Sequence, residues 1–236
     1  MLCKIADLLV EVPEQGGMAF RCSEYLHVPE DREPDITICS ERYKFDSWTD
    51  LSENDAIYME SGFQFNTRLL QFNGLMLHAS AVELAGKAYL FSGPCGMGKS
   101  THTKLWQQTF GSAAQVFNDD KPALRYVNGK WYAYGTPWCG KDGINQNKRV
   151  PLAGICFLKR GESNCIRQLN ANESIQKLIS QTRRKFYNVE WLDLMLKNVE
   201  QLVRDIPIFE LQNRPEPDAV RVSYEAMHRK AEEMGL

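Results

Sequence analysis

The chain reads as an α/β protein built on a mixed β-sheet. A phosphate-binding loop sits at its centre, with a β-rich N-terminal region over residues 1–55 and helices toward the C-terminus, so that residues 56–236 form the loop-bearing domain. Three observations predict this. The apolar run Ala88–Phe91 leads into Gly93-Pro94-Cys95-Gly96-Met97-Gly98-Lys99-Ser100, which fits G-x-x-x-x-G-K-[ST]. The tight turn Ala85-Gly86-Lys87 joins that run to the preceding one, Leu75–Leu84. The loop strand is then the second arm of a hairpin, and the sheet must be mixed rather than parallel throughout. Past residue 170, apolar residues recur every three or four positions, the period of packed helices.

The elements follow in order. In the N-terminal region Ile5–Val12, Met18–Cys22 and Ile36–Cys39 read as strands, separated by Pro13-Glu14-Gln15-Gly16-Gly17 and by the stretch from Pro29 to Pro34. Residues 56–72 read as a helix with Ile57, Met59, Phe63, Leu69, Leu70 and Phe72 on its apolar face, closed by Asn73-Gly74. The two hairpin arms come next, then the loop, then a helix over Thr101–Phe110. Gln115–Asn118 is a strand ending in Asp119-Asp120, and Asn128-Gly129 between Pro122–Val127 and Lys130–Tyr134 marks a second hairpin. Residues 135–149 form an irregular stretch long enough to be functional rather than a plain connection. Leu152–Leu158 is a buried-type strand. A helix carrying Ile175, Leu178, Ile179 and Phe186 starts near Asn172, and Val189, Leu192, Leu196, Val199, Val203 and Ile206 line the next. Ile208–Leu211 reads as a last strand, and Asp218 can cap a final helix with Val220, Tyr224, Met227 and Ala231 inward.

Composition narrows the functions. With 236 residues, 43% hydrophobic and 25% charged, the chain can bury one sizeable core. A formal net charge of −2 supplies no general attraction for nucleic acid or an anionic membrane, so any anion site must be local. No apolar run approaches the ~20 residues that span a bilayer. Asp7 and Glu11 interrupt the apolar stretch at the N-terminus, so no signal peptide is expected. Seven cysteines, at 3, 22, 39, 95, 139, 156 and 165, make an odd set without C-x-x-C. They point to a reducing cytoplasm rather than a disulfide scaffold or zinc ribbon. Neither nucleic acid nor membrane is an expected partner; a homo-oligomer is left open.

Each part of the loop has a chemical task. Glycines at 93, 96 and 98 let successive N–H groups converge on one phosphate, and the following helix adds its positive end. Gly93, Gly96, Met97, Gly98, Lys99, Ser100 and Thr101 are the candidate nucleotide-binding residues. Lys99 is placed to reach the β- and γ-phosphates and Ser100 to ligate Mg²⁺, so ATP and Mg²⁺ are the expected cofactors. Cys95 is open to two readings, a reactive thiol near a helix N-terminus or a stand-in for a small serine.

Asp119 and Asp120 follow an apolar strand, where a carboxylate can face the metal or take a hydroxyl proton. Adjacent side chains on an extended backbone point to opposite faces, so only one should face the metal directly. Ser100 and Asp120 are the candidate metal ligands, with the division between base and metal ligand in the Asp119–Asp120 pair left open. Convergence of both would favour a base role for one. His78, on the strand before the loop strand, is either a satisfied core histidine or a member of the site. Lys141, Lys148 and Arg149 are sources of positive charge, Arg149 first among them because it stands where the long stretch re-enters a strand. Trp138 either walls the pocket or packs.

Three segments together carry a resemblance: Leu77-His78-Ala79-Ser80-Ala81-Val82, the loop from Phe91 to Thr101, and Val116-Phe117-Asn118-Asp119-Asp120. They resemble the catalytic domain of the bacterial HPr serine kinase/phosphorylase family, whose protein substrate HPr is the histidine-containing phosphocarrier. The resemblance covers about residues 75 to 160. It implies a fold like that of ATP-dependent phosphoenolpyruvate carboxykinase and Mg²⁺-dependent transfer of phosphate to a serine. It also implies that one carboxylate of the Asp119–Asp120 pair serves the nucleophilic hydroxyl and that His78 pairs with an acidic group. Cys95 stands where the family has Ser, residues 1–70 do not look like the family's N-terminal domain, and Trp138-Cys139-Gly140-Lys141 departs from its substrate-docking signature. The chain looks more like the smaller HPr-kinase-related proteins, some associated with modified-peptide biosynthesis. The expected activity is a serine-kinase-like transfer from ATP to a Ser or Thr hydroxyl of a peptide or protein. Asp119, Asp120, His78 and Arg149 are the candidate catalytic residues. A small-molecule phosphotransferase of the carboxykinase type and a non-catalytic nucleotide-binding module are the alternatives.

Overall fold

A computed structural model describes residues 1–27, 32–39, 52–140, 142–182 and 189–236. At the N-terminus β1 (Leu2–Ile5) and β2 (Leu8–Glu11) form an antiparallel hairpin, and β3 (Ile36–Thr37) lies parallel to β2. The single strand expected over Ile5–Val12 is cut because Ala6 and Asp7 turn the chain at φ 52° and 60°. The strand expected over Met18–Cys22 is instead α1 (Met18–Arg21). Met18 and Cys22 are both buried, yet Phe20 midway between them is 85% exposed. An extended chain would put all three on one face; a helix puts Phe20 opposite.

α2 (Glu53–Leu69) begins at Ser52, whose hydroxyl accepts from the Asp55 N–H, and Asn73 at φ 54° closes the turn beyond it. Then come β4 (Gly74–Met76), β5 (Ala79–Leu84), β6 (Lys87–Ser92), α3 (Lys99–Phe110), β7 (Ala114–Asp120), β8 (Ala123–Val127), β9 (Lys130–Tyr134) and β10 (Arg149–Arg160). The chain ends with β11 (Cys165–Gln168), α4 (Ala171–Gln181), α5 (Val189–Asp205), β12 (Ile208–Asn213) and α6 (Pro217–Glu233). β11, short and largely exposed, carries no apolar pattern in the sequence. The N-cap of α4 is Asn170, in a reciprocal capping box with Glu173, rather than Asn172. Pro217 opens α6, and Asp218 pairs with Arg221 at 2.8 Å instead of capping. Phe186 and Lys141 lie outside the described residues.

The sheet is mixed, as the loop hairpin requires. Among the described residues its order is β4-β8-β9-β10-β6-β5-β7, with β12 on the edge of β10 away from β6 and β11 beyond β12. β5 and β6 pair antiparallel, β6 and β10 parallel. The long β10 joins two halves: its first residues pair antiparallel with β9, and from Leu152 it runs parallel to β6 and then β12. The run Leu75–Leu84 is divided between these halves. β4 pairs with β8 in one and β5 with β6 and β7 in the other, and Leu77-His78 occupies the break. There the Leu77 N–H donates to Pro122 O (3.1 Å) and the His78 N–H to Gln181 O (3.1 Å), leaving the ladder. His78 therefore sits in a gap between strands, not on one.

Three apolar clusters hold the layers together. α4 and α5 pack on one face of the sheet through Leu178, Met195, Val199 and Leu202. α3 and α6 cover the other through Trp106, Val220 and Met227. The third joins the N-terminal hairpin to α2 and to β8 and β9. Trp138 belongs to it, fully buried, stacked on Phe65 at 4.8 Å and donating to Ser61 Oγ at 3.0 Å. Trp138 packs; it does not wall a pocket. No helix among the described residues is long and apolar enough to cross a membrane.

Candidate active site

β6 runs straight into the loop, and Gly98, at φ 95°, turns the chain into α3 so that Lys99 is its first residue. That conformation is costly for any side chain other than hydrogen. The loop borders a cavity of about 530 Å³, with Cys95, Gly96, Gly98, Lys99, Ser100 and Thr101 on one wall. His78, Asp119, Asp120, Gly140 and Asp142 form the opposite wall. The first-turn N–H groups of α3 have no carbonyl one turn back, so they are available to an anion. Lys99 is folded onto its own loop, donating to Gly93 O (3.0 Å) and Pro94 O (3.2 Å). Burial pulls its pKa down, and the charge of Asp120 opposes that shift. Of the candidate nucleotide-binding residues, Gly93 and Met97 are not in the lining of this cavity. Met97 packs into the apolar cluster under α3 and borders a second cavity of about 330 Å³ with Arg160, Asn213 and Arg214. Arg160 donates to Gly96 O at 2.9 Å.

Both carboxylates of the Asp119–Asp120 pair face the loop cavity. On a regular strand adjacent side chains point to opposite faces; these two share the cavity for a local reason. Asp120 has φ 137°, outside the extended region, and this cancels the alternation of a strand. Asp119 Oδ1 accepts from Ser100 Oγ at 3.0 Å. Asp120 has other neighbours, His78 Nε2 at 3.4 Å from Oδ1 and Lys121 Nζ at 3.0 Å from Oδ2. The long stretch after β9 runs beside β7 and pins the pair. Asp119 N–H donates to Ile144 O (3.1 Å), Gln146 N–H to Phe117 O (2.9 Å), and Gly140 N–H to Asp119 O. A side chain on Gly140 would come within 3.0 Å of Asp119 O.

His78 is held on three sides. Its N–H and its ring Nδ1 both meet Gln181, the ring nitrogen 3.1 Å from Oε1, and its carbonyl accepts from Ser92 Oγ at 2.8 Å. With the amide oxygen at Nδ1, that nitrogen carries the proton and Nε2 turns to Asp120. Burial lowers the His78 pKa first and the Lys99 charge second, while Asp120 raises it; the net direction is down, so the ring is neutral at pH 7. His78 and Asp120 also border a third cavity of about 390 Å³, enclosed by Met59, Gly62 and Asn66 of α2, by Met76 and Leu77, and by the end of α4. Among the described residues these two are the ones the third cavity shares with the loop cavity.

Behind Asp120 stands a group that has no local sequence motif. Arg21 and Lys121 both lie over the Tyr58 ring, each 4.6 Å from its centre. Tyr58 Oη donates to Cys139 O at 3.0 Å, and Arg21 donates to the same carbonyl at 3.1 Å. Burial, then the Asp120 charge, pushes the Tyr58 pKa up, so the phenol keeps its proton. Lys121 adjoins the Asp pair in sequence but reads there as part of a surface turn. Arg21 and Tyr58 become visible only when α1 and α2 dock.

Arg149 is not brought to the cavity. It pairs with Asp7 at 3.0 Å and lies over the Tyr132 ring at 3.8 Å, on the N-terminal side of the sheet. Lys148 pairs with Glu83. Among the described residues lining the loop cavity, Lys99 is the one cation. Asp142 lines it too, paired with Lys104 at 2.9 Å. The described residues hold no cluster of three or more His, Cys, Asp or Glu side chains arranged for a metal ion.

No family model matches the chain, and no curated protein matches it. Among solved structures the chain is similar to the Hpr(Ser) kinase/phosphatase from Coxiella burnetii, with 12% sequence identity over 67% of this chain and 98% of that chain. The TM-score is 0.39, too low to transfer anything to this chain's site.

Proposed function

We propose that the protein is an ATP- and Mg²⁺-dependent phosphotransferase that acts on a hydroxyl, the Ser or Thr hydroxyl of a peptide or protein. The observation that carries this reading is the convergence of Asp119 and Asp120 on the loop cavity, one joined to the loop through Ser100 and the other to His78. Different neighbours give the two carboxylates different tasks. Ser100 and Asp119 suit Mg²⁺, which takes one or two carboxylates and completes its octahedron with water and phosphate oxygens. On this reading Asp119, and not Asp120, is the carboxylate that would hold the metal. Asp120 is left as the base, reaching an incoming hydroxyl and taking its proton.

Bound MgATP supplies the phosphoryl group and neutralises the charge that develops on it. The protein's own part is positional. Lys99 exchanges its two loop carbonyls for phosphate oxygens, and the first turn of α3 offers its N–H groups. Lys121 holds one oxygen of Asp120 while Nε2 of neutral His78 stands at the other, ready to take the proton onward. An assay with ATP, Mg²⁺ and serine peptides tests this. Lys99→Ala and Asp120→Asn should each abolish transfer, and unchanged transfer in both would sink the reading.

A further inference from the structure

Resting on that reading, we propose that the cavity beyond His78 and Asp120 is the acceptor pocket, and that it selects an uncharged hydroxyl with an apolar group directly beside it. Its placement supports this. Among the described residues it shares with the loop cavity His78 and Asp120 alone, so a hydroxyl inside it meets Asp120 from the side away from the loop. Transfer needs that approach, with attacking and leaving oxygens roughly in line. In the step the acceptor O–H bond breaks and its proton goes to Asp120. A new O–P bond forms as the bond from the γ-phosphorus to the bridging oxygen breaks, leaving ADP.

The walls set the chemistry. Met59, Met76 and Leu77 present apolar surface, and thioether side chains adapt to the shape of what they cover. Polar groups in the wall are largely committed. Asn66 Oδ1 accepts from Met76 N–H at 2.7 Å, Thr182 Oγ1 donates to Leu178 O at 3.2 Å, and Gln181 holds His78. The Lys121 charge is paired with Asp120. A carboxylate or phosphate on the acceptor would therefore meet no unpaired cation among the described lining residues, and desolvating it would cost binding. About 390 Å³ is at the small end of ligand pockets, enough for one large side chain or a small alcohol and not for the face of a folded protein.

An apolar residue beside the Ser of a peptide and a free alcohol both supply this chemistry, and the probes separate them. Ac-Ala-Ser-Leu-NH2, Ac-Ala-Ser-Ala-NH2, Ac-Ala-Ser-Glu-NH2 and 3-methyl-1-butanol are offered to the full chain with ATP and Mg²⁺. We expect kcat/KM for the leucine peptide or for the alcohol to exceed that for the alanine and glutamate peptides by ~10-fold or more. Whichever of the two leads identifies the source. Ser180→Trp, on the exposed rim, and Met59→Trp, on α2, should each lower that preferred kcat/KM ~10-fold by filling the pocket, with nucleotide affinity unchanged. A second readout needs no turnover. The ¹³C-methyl resonances of Met59 and Met76 should shift when the leucine peptide or the alcohol is added beside a non-hydrolysable ATP analogue. Shifts without transfer keep the pocket and reject the phosphotransfer reading. Transfer to the leucine peptide and to the alcohol no better than to the alanine and glutamate peptides, transfer indifferent to both tryptophans, or the absence of any methyl shift rejects the pocket.

Discussion

The two walls of the site are built in opposite ways. The loop wall is contiguous: one strand, one glycine-rich turn and the first turn of α3, with Lys99 bonded to carbonyls only five and six residues away. The facing wall, with His78, Asp119 and Asp120, is braced from behind by α1, α2, the stretch after β9 and the end of α4. Its bonds span large separations, 118 residues from Arg21 to Cys139 and 103 from His78 to Gln181. A wall made by local backbone geometry survives loosening elsewhere. A wall made by docking exists only while the N-terminal hairpin and α4 are seated. On the proposed reading the first would hold phosphate and the second the base, so binding and transfer should come apart under mutation.

The largest separation should come from Asp120→Asn. Transfer should fall ~10²–10⁴-fold, the worth of a positioned base, while nucleotide affinity measured by calorimetry stays within about twofold. A matching loss of affinity would break the contrast between the walls. Tyr58→Ala is expected next. It removes the ring that two cations cover and frees Lys121 from its seat, so kcat should drop ~10–100-fold with nucleotide affinity intact. Tyr58→Phe keeps the ring and should recover most of that loss.

The loop wall has its own weakness, toward acid. His102 of α3 is buried, and its Nε2 accepts from Trp106 Nε1 at 3.2 Å. Nδ1 therefore carries the proton, and it has no partner among the described residues. Burial pulls the His102 pKa from 6.5 down to about 3. The unfolded chain takes up a proton near the ordinary value and the folded chain does not. This contribution to stability is thus complete above pH 6.5 and is lost progressively as pH falls toward 3. By pH 5 the loss should be about 2 kcal/mol, read from urea midpoints, and His102→Gln should flatten the curve. The smallest effect is reserved for Arg149→Ala. Its partners are Asp7 and Tyr132, so transfer should change less than about twofold even if the melting point moves. A large drop in kcat would return Arg149 to the site.

The same division governs what could be read from residues alone. The β5–β6 hairpin, the loop, α3 and the strand that carries the Asp pair were legible because neighbours in sequence decide them. So was the Asn128-Gly129 turn, whose two residues adopt φ 50° and 83°. The capping box Asn170–Glu173 is equally present in the sequence, two residues before the Asn172 that the helical pattern suggests. The break at His78 was not legible, because an unbroken apolar run conceals a change of partner strand from β8 to β6. Nor was the turn of the backbone at Asp120, which a non-glycine residue gives no cause to expect. Arg21, Tyr58 and Gln181 could not be found by spacing at all, since only tertiary packing makes them neighbours.

β10 is fastened at both ends. Arg149 at its start grips Asp7 of the N-terminal hairpin, and Arg160 at its finish grips Gly96 of the loop. At about 3.3 Å per residue it is a tie-bar roughly 40 Å long, clamped along its length by β9, β6 and β12. Such a bar cannot change length at one end alone. Inserting or deleting a single residue within it would turn its side chains to the wrong faces and pull an anchor from its socket. Its twelve residues thereby set the distance between the hairpin and the loop, a spacing this protein can alter only by rebuilding both.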